Sequence, residues 1–265
     1  MHPIERLRYV ARAGGVDQAM VVREAAGALG ALGFDPAGLV TSCRRLVSRH
    51  PMAGALWVLA SRVVTSADPM REAWAVVDEL DRDHTARELA AALPDGAGVT
   101  IIGWPDTIPS GLVRRGDLRV LVVDQFGEAS GLVRQLEDRD VDAEDVPMVG
   151  LGGAVRSTDI VLIEASMAGE EGVVASSGSL AAAATARATG ARVWAVIAAD
   201  RVLPPSTWRF ATSSLRGPEP WGDDDEIVPL DMIDSIVGPV GLRDAAELRL
   251  RTDCVVAPEL LRTPI

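Results

Sequence analysis

The sequence predicts an α/β protein in which an N-terminal helical domain, residues 1–95, precedes a doubly wound, mostly parallel sheet, residues 96–265. Two observations carry that expectation. Up to residue 93 the apolar residues recur at three- and four-residue steps, as in Ala19, Met20, Val22, Ala25 and Leu29. Beyond residue 98 short runs rich in Val and Ile alternate with helical stretches, the pattern of parallel strands buried on both faces.

The helical part reads as Val16–Leu29, Leu39–Val47 and Ala53–Val64, with Pro51 breaking the pattern after His50. Asp68 is the expected N-cap of a further helix, with Pro69 at its first position. That helix runs from Met70 to Leu93 and ends at Pro94-Asp95-Gly96. Five strand candidates follow, at Val99–Ile102, Leu118–Val123, Val146–Val149, Asp159–Ile163 and Ala191–Ile197. Helices fit between them at Thr107–Arg114, Glu128–Arg139 and Ser179–Thr189. Right-handed crossovers make this a Rossmann-like arrangement. Gly217–Glu226 reads as a polar connection, within which Asp223-Asp224-Asp225 is an exposed acidic loop. Ile227–Leu230, Met232–Val237 and Cys254–Val256 are the expected last pieces packing onto the sheet.

Composition narrows the function. With 48% hydrophobic residues the 265-residue chain can bury a sizeable core. A net charge of −12 repels a phosphate backbone and an anionic membrane surface, so nucleic-acid and membrane partners are not expected. No apolar run is long enough to span a bilayer, and Met1-His2-Pro3-Ile4-Glu5-Arg6 does not open a signal peptide, which points to the cytoplasm. Cys43 and Cys254 then read as two thiols rather than a disulfide. All 26 basic residues are arginine and asparagine is absent. A Schiff-base lysine, a phosphate-loop lysine and a catalytic asparagine are therefore excluded. Three histidines and two cysteines without a Cys-x-x-Cys pair give no basis for a zinc site, and no cofactor is expected.

In open parallel sheets ligands bind beyond the carboxyl ends of the strands. The segments there are Gly103-Trp104-Pro105-Asp106-Thr107, Asp124-Gln125-Phe126-Gly127, Glu164-Ala165-Ser166-Met167 and Ser176-Ser177-Gly178-Ser179. The last is the best site signal. Ser177 or Gly178 would cap a helix opening near Ser179, whose unpaired N–H groups and dipole favour an anion such as phosphate. The same four residues also fit an ordinary serine-capped helix. Asp106 and Asp124 are the acids nearest the crevice and the candidate general bases. Asp124 could equally cap the helix after it. Gly150-Leu151-Gly152-Gly153 has the look of a phosphate loop but lacks the third glycine at dinucleotide spacing, and reads as a turn.

The order of these segments resembles the alpha/beta/delta family of eukaryotic translation initiation factor 2B and its isomerase relatives, which act on methylthioribose 1-phosphate and ribose 1,5-bisphosphate. Asp159–Ala181 is similar to the family's strand, Gly-Ala-Asp, and Asn-Lys-Ile/Val-Gly-Thr helix start. Ser48–Ala53, Leu118–Leu136 and Glu226–Val237 resemble other family segments, and the likeness spans about residues 38–245. It implies a fold of the NagB/RpiA/CoA-transferase-like kind. It also implies a sugar phosphate or nucleotide as ligand, held by Gly103, Thr107, Ser166, Ser176, Ser177, Gly178 and Ser179, and a homodimer built through the α/β domain. The isomerase machinery is not preserved. The acid of Gly-Ala-Asp corresponds to Ser166, and the loop that carries the relatives' cysteine reads Gly103-Trp104-Pro105-Asp106. The Asn-Lys pair corresponds to Ser176-Ser177, and an arginine corresponds to Phe126. A binding protein without isomerase activity is the leading expectation. An isomerase using Asp106 or Asp124, and an assembly subunit with a vestigial pocket, are the alternatives.

Overall fold

A computed structural model describes residues 18–30 and 36–262. The signal-peptide reading, His2 and the first two residues of the Val16–Leu29 helix lie outside the described residues.

Among the described residues four helices make the first layer: α1 Gln18–Gly30, α2 Pro36–Arg49, α3 Gly54–Thr65 and α4 Pro69–Asp81. The Asp68 carboxylate accepts from the Arg71 N–H (3.2 Å) with Pro69 in the first turn, the N-cap expected from the sequence. The long helix Met70–Leu93 is not formed. It breaks after Asp81 and restarts as α5, Thr85–Ala92. Asp83 causes the break: its Oδ1 accepts from both the N–H (2.9 Å) and the hydroxyl (2.6 Å) of Thr85, a local bond that competes with helix continuation. The break re-aims α5. Leu89 and Leu93 pack into the core beneath the sheet, not with the other helices.

The main sheet has seven strands: β1 Gly98–Ile102, β2 Arg119–Asp124, β3 Asp142–Pro147, β4 Ile160–Glu164, β7 Arg192–Val196, β9 Ser235–Gly238 and β10 Gly241–Asp244. Their order is β10-β9-β7-β4-β1-β2-β3, with every pairing parallel except β9–β10. Helix α5 and the connecting helices α6 Ile108–Leu112 and α7 Ala129–Glu137 cover one face. Helices α8 Leu151–Arg156 and α9 Ser179–Thr189 cover the other. The expected mixed α/β, mostly parallel architecture after a helical layer is therefore what forms.

Two strand expectations are corrected. β3 covers Asp142–Pro147 and not Val146–Val149, where Met148–Gly150 is a 3₁₀ turn. As an edge strand β3 pairs only with β2 and carries exposed acids, so it lacks the apolar run of its neighbours. The glycine-rich stretch after it is not a loop: Leu151–Arg156 is helical. The segment Ile227–Leu230 does not join the main sheet. It belongs to β8, Asp225–Pro229, in a separate antiparallel sheet of order β5-β6-β8 with β5 Met167–Gly169 and β6 Gly172–Ser176. Gly172 makes that sheet possible, because a Cβ there would sit 2.2 Å from the Val228 carbonyl oxygen. Cys254 likewise packs among the helices and not on the sheet. Both cysteines are free and buried, and burial pushes the Cys43 thiol up to about 12 and the Cys254 thiol to about 11.

The small sheet joins the two parts of the chain. Met167, Val174 and Trp208 (from α10, Pro205–Ala211) pack with Trp57 and its neighbours on α3. Gly54 approaches so closely that a Cβ would stand 2.8 Å from that of Met167. The Gly54 N–H and the Gln18 amide both donate to the Ser166 carbonyl, at 3.0 and 2.9 Å. The helical layer thus fixes the loop that follows β4.

Asp200 sits at this junction in the left-handed region (φ 57°), is 7% exposed, and has Oδ2 without a partner among the described residues. Burial, then the charges of Glu79 and Asp253, push its carboxyl up to about 7, against the opposing pull of Arg62 and Arg251. Its folded value lies above the unfolded one. The folded state therefore holds a proton that the unfolded chain has released, and stability falls as pH rises from about 4 to about 7. Asp200→Asn keeps a residue tolerant of positive φ and removes the charge. It is expected to stabilise the protein at pH 8 by on the order of 2 kcal/mol and to leave stability near pH 4 unchanged. Equal gains at both pH values in urea melts would refute the burial account.

Candidate functional site

The carboxyl edge of the main sheet opens into a cavity of about 610 Å³. Its walls are the Trp104–Asp106 and Gln125–Glu128 loops, the end of β4, the start of α9 and the Asp224-Asp225 segment. Each follows from the topology: parallel strands deliver their following loops to one edge, and β8 runs alongside β6 to bring the acidic segment across from 48 or so residues away.

Four of the residues singled out from the sequence line the cavity, namely Asp106, Ser166, Ser176 and Ser179. The others stand beside it in structural roles. The Gly103 N–H donates to the Val123 carbonyl (2.9 Å) in a turn at φ 64°. Thr107 gives its N–H to Glu164. Ser177 donates from its hydroxyl to the Asp223 carbonyl (2.6 Å) and from its N–H to that of Asp224 (2.9 Å). The Asp124 carboxylate accepts from the Gly127 and Ala129 N–H groups, at 2.8 and 3.2 Å, so it caps α7. Ser166 turns its hydroxyl to the Val174 carbonyl (3.3 Å).

The α9 start forms where the sequence places it, with Gly178, one of the two expected caps, at its N-terminus. Gly178 is the N-cap in the left-handed conformation (φ 101°), and neither Ser177 nor Ser179 caps with its side chain. Glu226 of β8 does so instead. Its Oε1 accepts from the Gly178 N–H (2.7 Å) and the Leu180 N–H (2.9 Å). The donors suited to a phosphate are thereby held by an internal carboxylate. The same device recurs at α6, where Glu164 accepts from the Thr107 N–H (2.8 Å) and the Ile108 N–H (3.0 Å).

Arg201, just beyond β7, is the cation of the cavity among the described residues and is 3% exposed. One Nη donates to Glu164 (3.1 Å) and to the Ala165 carbonyl (2.7 Å), while the other stands 4.0 Å from Asp106. Among the described residues the remaining charges lining the cavity are carboxylates. Asp225 is pushed up to about 6 by burial and then by the Asp224 and Asp223 charges. Arg201, Glu164 in this role and Glu226 were missed in the sequence. For Arg201 a signal existed, since it closely follows a strand end. For Glu226 none did, because its partner helix is remote in the chain.

Comparison with family models and with curated proteins gives no match. Solved structures do match. Translation initiation factor eIF-2B from Pyrococcus horikoshii superposes with a TM-score of 0.74 at 15% identity, over 91% of this chain and 96% of that one. A chain of the tetrameric eIF2B-beta2-delta2 complex of Chaetomium thermophilum gives 0.75 at 18% identity, over 92% and 91%. The eIF2B beta subunit from that organism gives 0.66 at 16%, over 93% and 87%. At these identities the likeness is one of fold, and it extends through the helical layer as well as the sheet: the chain has the fold of the subunits of translation initiation factor 2B.

Proposed function

We propose that this chain is an initiation factor 2B-like protein that binds a small polar metabolite at the carboxyl edge of its sheet and lacks the isomerase chemistry implied by the resemblance. One observation carries the reading: a cavity of metabolite size stands where such sheets bind ligands, while Glu164 in its wall and Asp124 beside it are committed to the fold. Glu164 is bound to two N–H groups and Arg201, and Asp124 caps α7. Aldose–ketose interconversion needs a base that can reach the reacting carbons. Of the two acids expected as general base, Asp106 is the one that lines the cavity, beside Arg201. The phosphorylated ligand expected from the resemblance belongs to this proposal with one condition, that a phosphate at Gly178 displaces Glu226. A homodimer through the α/β domain and a cytoplasmic location complete it.

The test is to follow methylthioribose 1-phosphate and ribose 1,5-bisphosphate by NMR in the presence of the protein. Both substrates are expected to persist unchanged. Isomerisation that Asp106→Ala abolishes would overturn the proposal in favour of an enzyme with Asp106 as base.

A further inference from the structure

Two aromatic side chains stand in the wall of the cavity, and the backbone around each holds it there. Trp104 follows β1 and Phe126 follows β2, strands that pair side by side up to Ile102 and Val123, so the two loops leave the sheet as neighbours. The six-membered ring of Trp104 lies against α7 at Gly131, where a Cβ would come within 2.9 Å of it. Glycine is a poor helix former, and in the first turn of α7 its place is explained by the room it makes for the indole. Phe126 sits between two anchors. The Gln125 amide donates to the Asp224 carbonyl (3.1 Å), and the Gly127 N–H, at φ 82°, donates to the Asp124 carboxylate (2.8 Å).

Both rings nevertheless stay open. Trp104 is 39% and Phe126 57% exposed, and neither touches another ring among the described residues. Fixed, exposed rings in a cavity wall are the apolar part of a ligand site. The polar part comes from the segment that leads into α9. Ser176 and Ser179 line the same cavity, and neither hydroxyl makes a hydrogen bond among the described residues. Ser179 is 2% exposed, and a buried hydroxyl ordinarily has a partner. The N–H groups on either side of it, at Gly178 and Leu180, are taken by Glu226. The Ser179 hydroxyl, which can donate and accept, is therefore what this helix start offers a ligand.

We infer that the cavity takes a molecule with a flat aromatic ring joined to a hydroxylated arm, the ring stacking on Trp104 and Phe126 and a hydroxyl of the arm pairing with Ser179. The inference rests on the cavity being the ligand site proposed above, and it names the ligand's chemical class.

Glycosides of one sugar isolate the ring: phenyl, cyclohexyl and methyl β-D-glucopyranoside, with glucose 6-phosphate as the phosphorylated counterpart. Titration calorimetry on the full chain is expected to give tightest binding for the phenyl glycoside. Its advantage is about tenfold or more over the methyl glycoside and about threefold or more over the cyclohexyl glycoside. Cyclohexyl brings as much apolar surface but no flat π face, so it separates stacking from plain burial. Phe126→Leu is expected to erase the phenyl preference over cyclohexyl. Ser179→Ala is expected to weaken every glycoside by about threefold to tenfold. Both variants should melt near the temperature of the parent. Cyclohexyl binding as tightly as phenyl overturns the inference, as does a phenyl preference that survives Phe126→Leu or an affinity untouched by Ser179→Ala. Tightest binding by glucose 6-phosphate also overturns it and leaves the metabolite-binding reading intact. Failure of all four at millimolar concentration overturns both.

Discussion

Replacing Glu164 with alanine is expected to destabilise the protein by about 3–5 kcal/mol, the usual cost of stranding one member of a buried ion pair. Glu164 and Arg201 are 9% and 4% exposed at their side chains, with the two charges 3.1 Å apart. The same carboxylate accepts from the Thr107 and Ile108 N–H groups, so its loss also leaves two donors at the start of α6 unpaired. Urea denaturation measures the effect. The double variant Glu164→Leu/Arg201→Met should recover much of it, because removing both charges also removes the desolvation penalty. A loss below about 1 kcal/mol for Glu164→Ala would mean that water reaches Arg201 and compensates it. The result matters for function as well as stability. A Glu164 that supports Arg201 and α6 is part of the frame and cannot also serve as a freely moving base.

The parallel strands were legible because burial on both faces leaves apolar runs, as at Leu118–Val123 and Ala191–Ile197. Helix α9 has the bounds expected from the sequence, Ser179–Thr189, and Gly178 is the one of the two expected caps that forms. The antiparallel sheet was not. Its strands Met167–Gly169 and Gly172–Ser176 are short and made largely of small residues, and their pairing with Asp225–Pro229 is set by long-range contact. The edge strand β3 escaped for the opposite reason, since its exposed acids carry no apolar signal. At the site, sequence reasoning located the α9 start but read its charge incompletely. The rule that a helix start attracts an anion holds here. The anion that occupies it in the fold is Glu226, which the chain itself supplies.

Glu226→Ala then carries the sharpest functional expectation. It frees the Gly178 and Leu180 N–H groups at the positive end of an 11-residue helix. Affinity for sorbitol 6-phosphate should rise by about tenfold or more over the parent, a gain of about 1.4 kcal/mol or more from two reopened donors and the helix dipole. Loss of the cap should cost about 1 kcal/mol of stability, small enough for binding to be measured on folded protein. The pH dependence has a definite sign. Asp225 stands next to Glu226 in β8 with its carboxyl pushed up to about 6. As pH falls through that value Asp225 takes up a proton, the cavity loses a negative charge, and phosphate affinity should increase further in the variant. Calorimetry at about pH 5 and about pH 8, with Glu226→Ala/Asp225→Asn as the reference for the probe's own phosphate titration at about pH 6, separates the two contributions, the cap acting at both and Asp225 only across the interval. Unchanged phosphate affinity at both pH values would show that Glu226 does not guard this helix start. A gain in the variant would locate the departure from phosphate binding in a single side chain on β8, leaving the parallel sheet and the α9 backbone as they are.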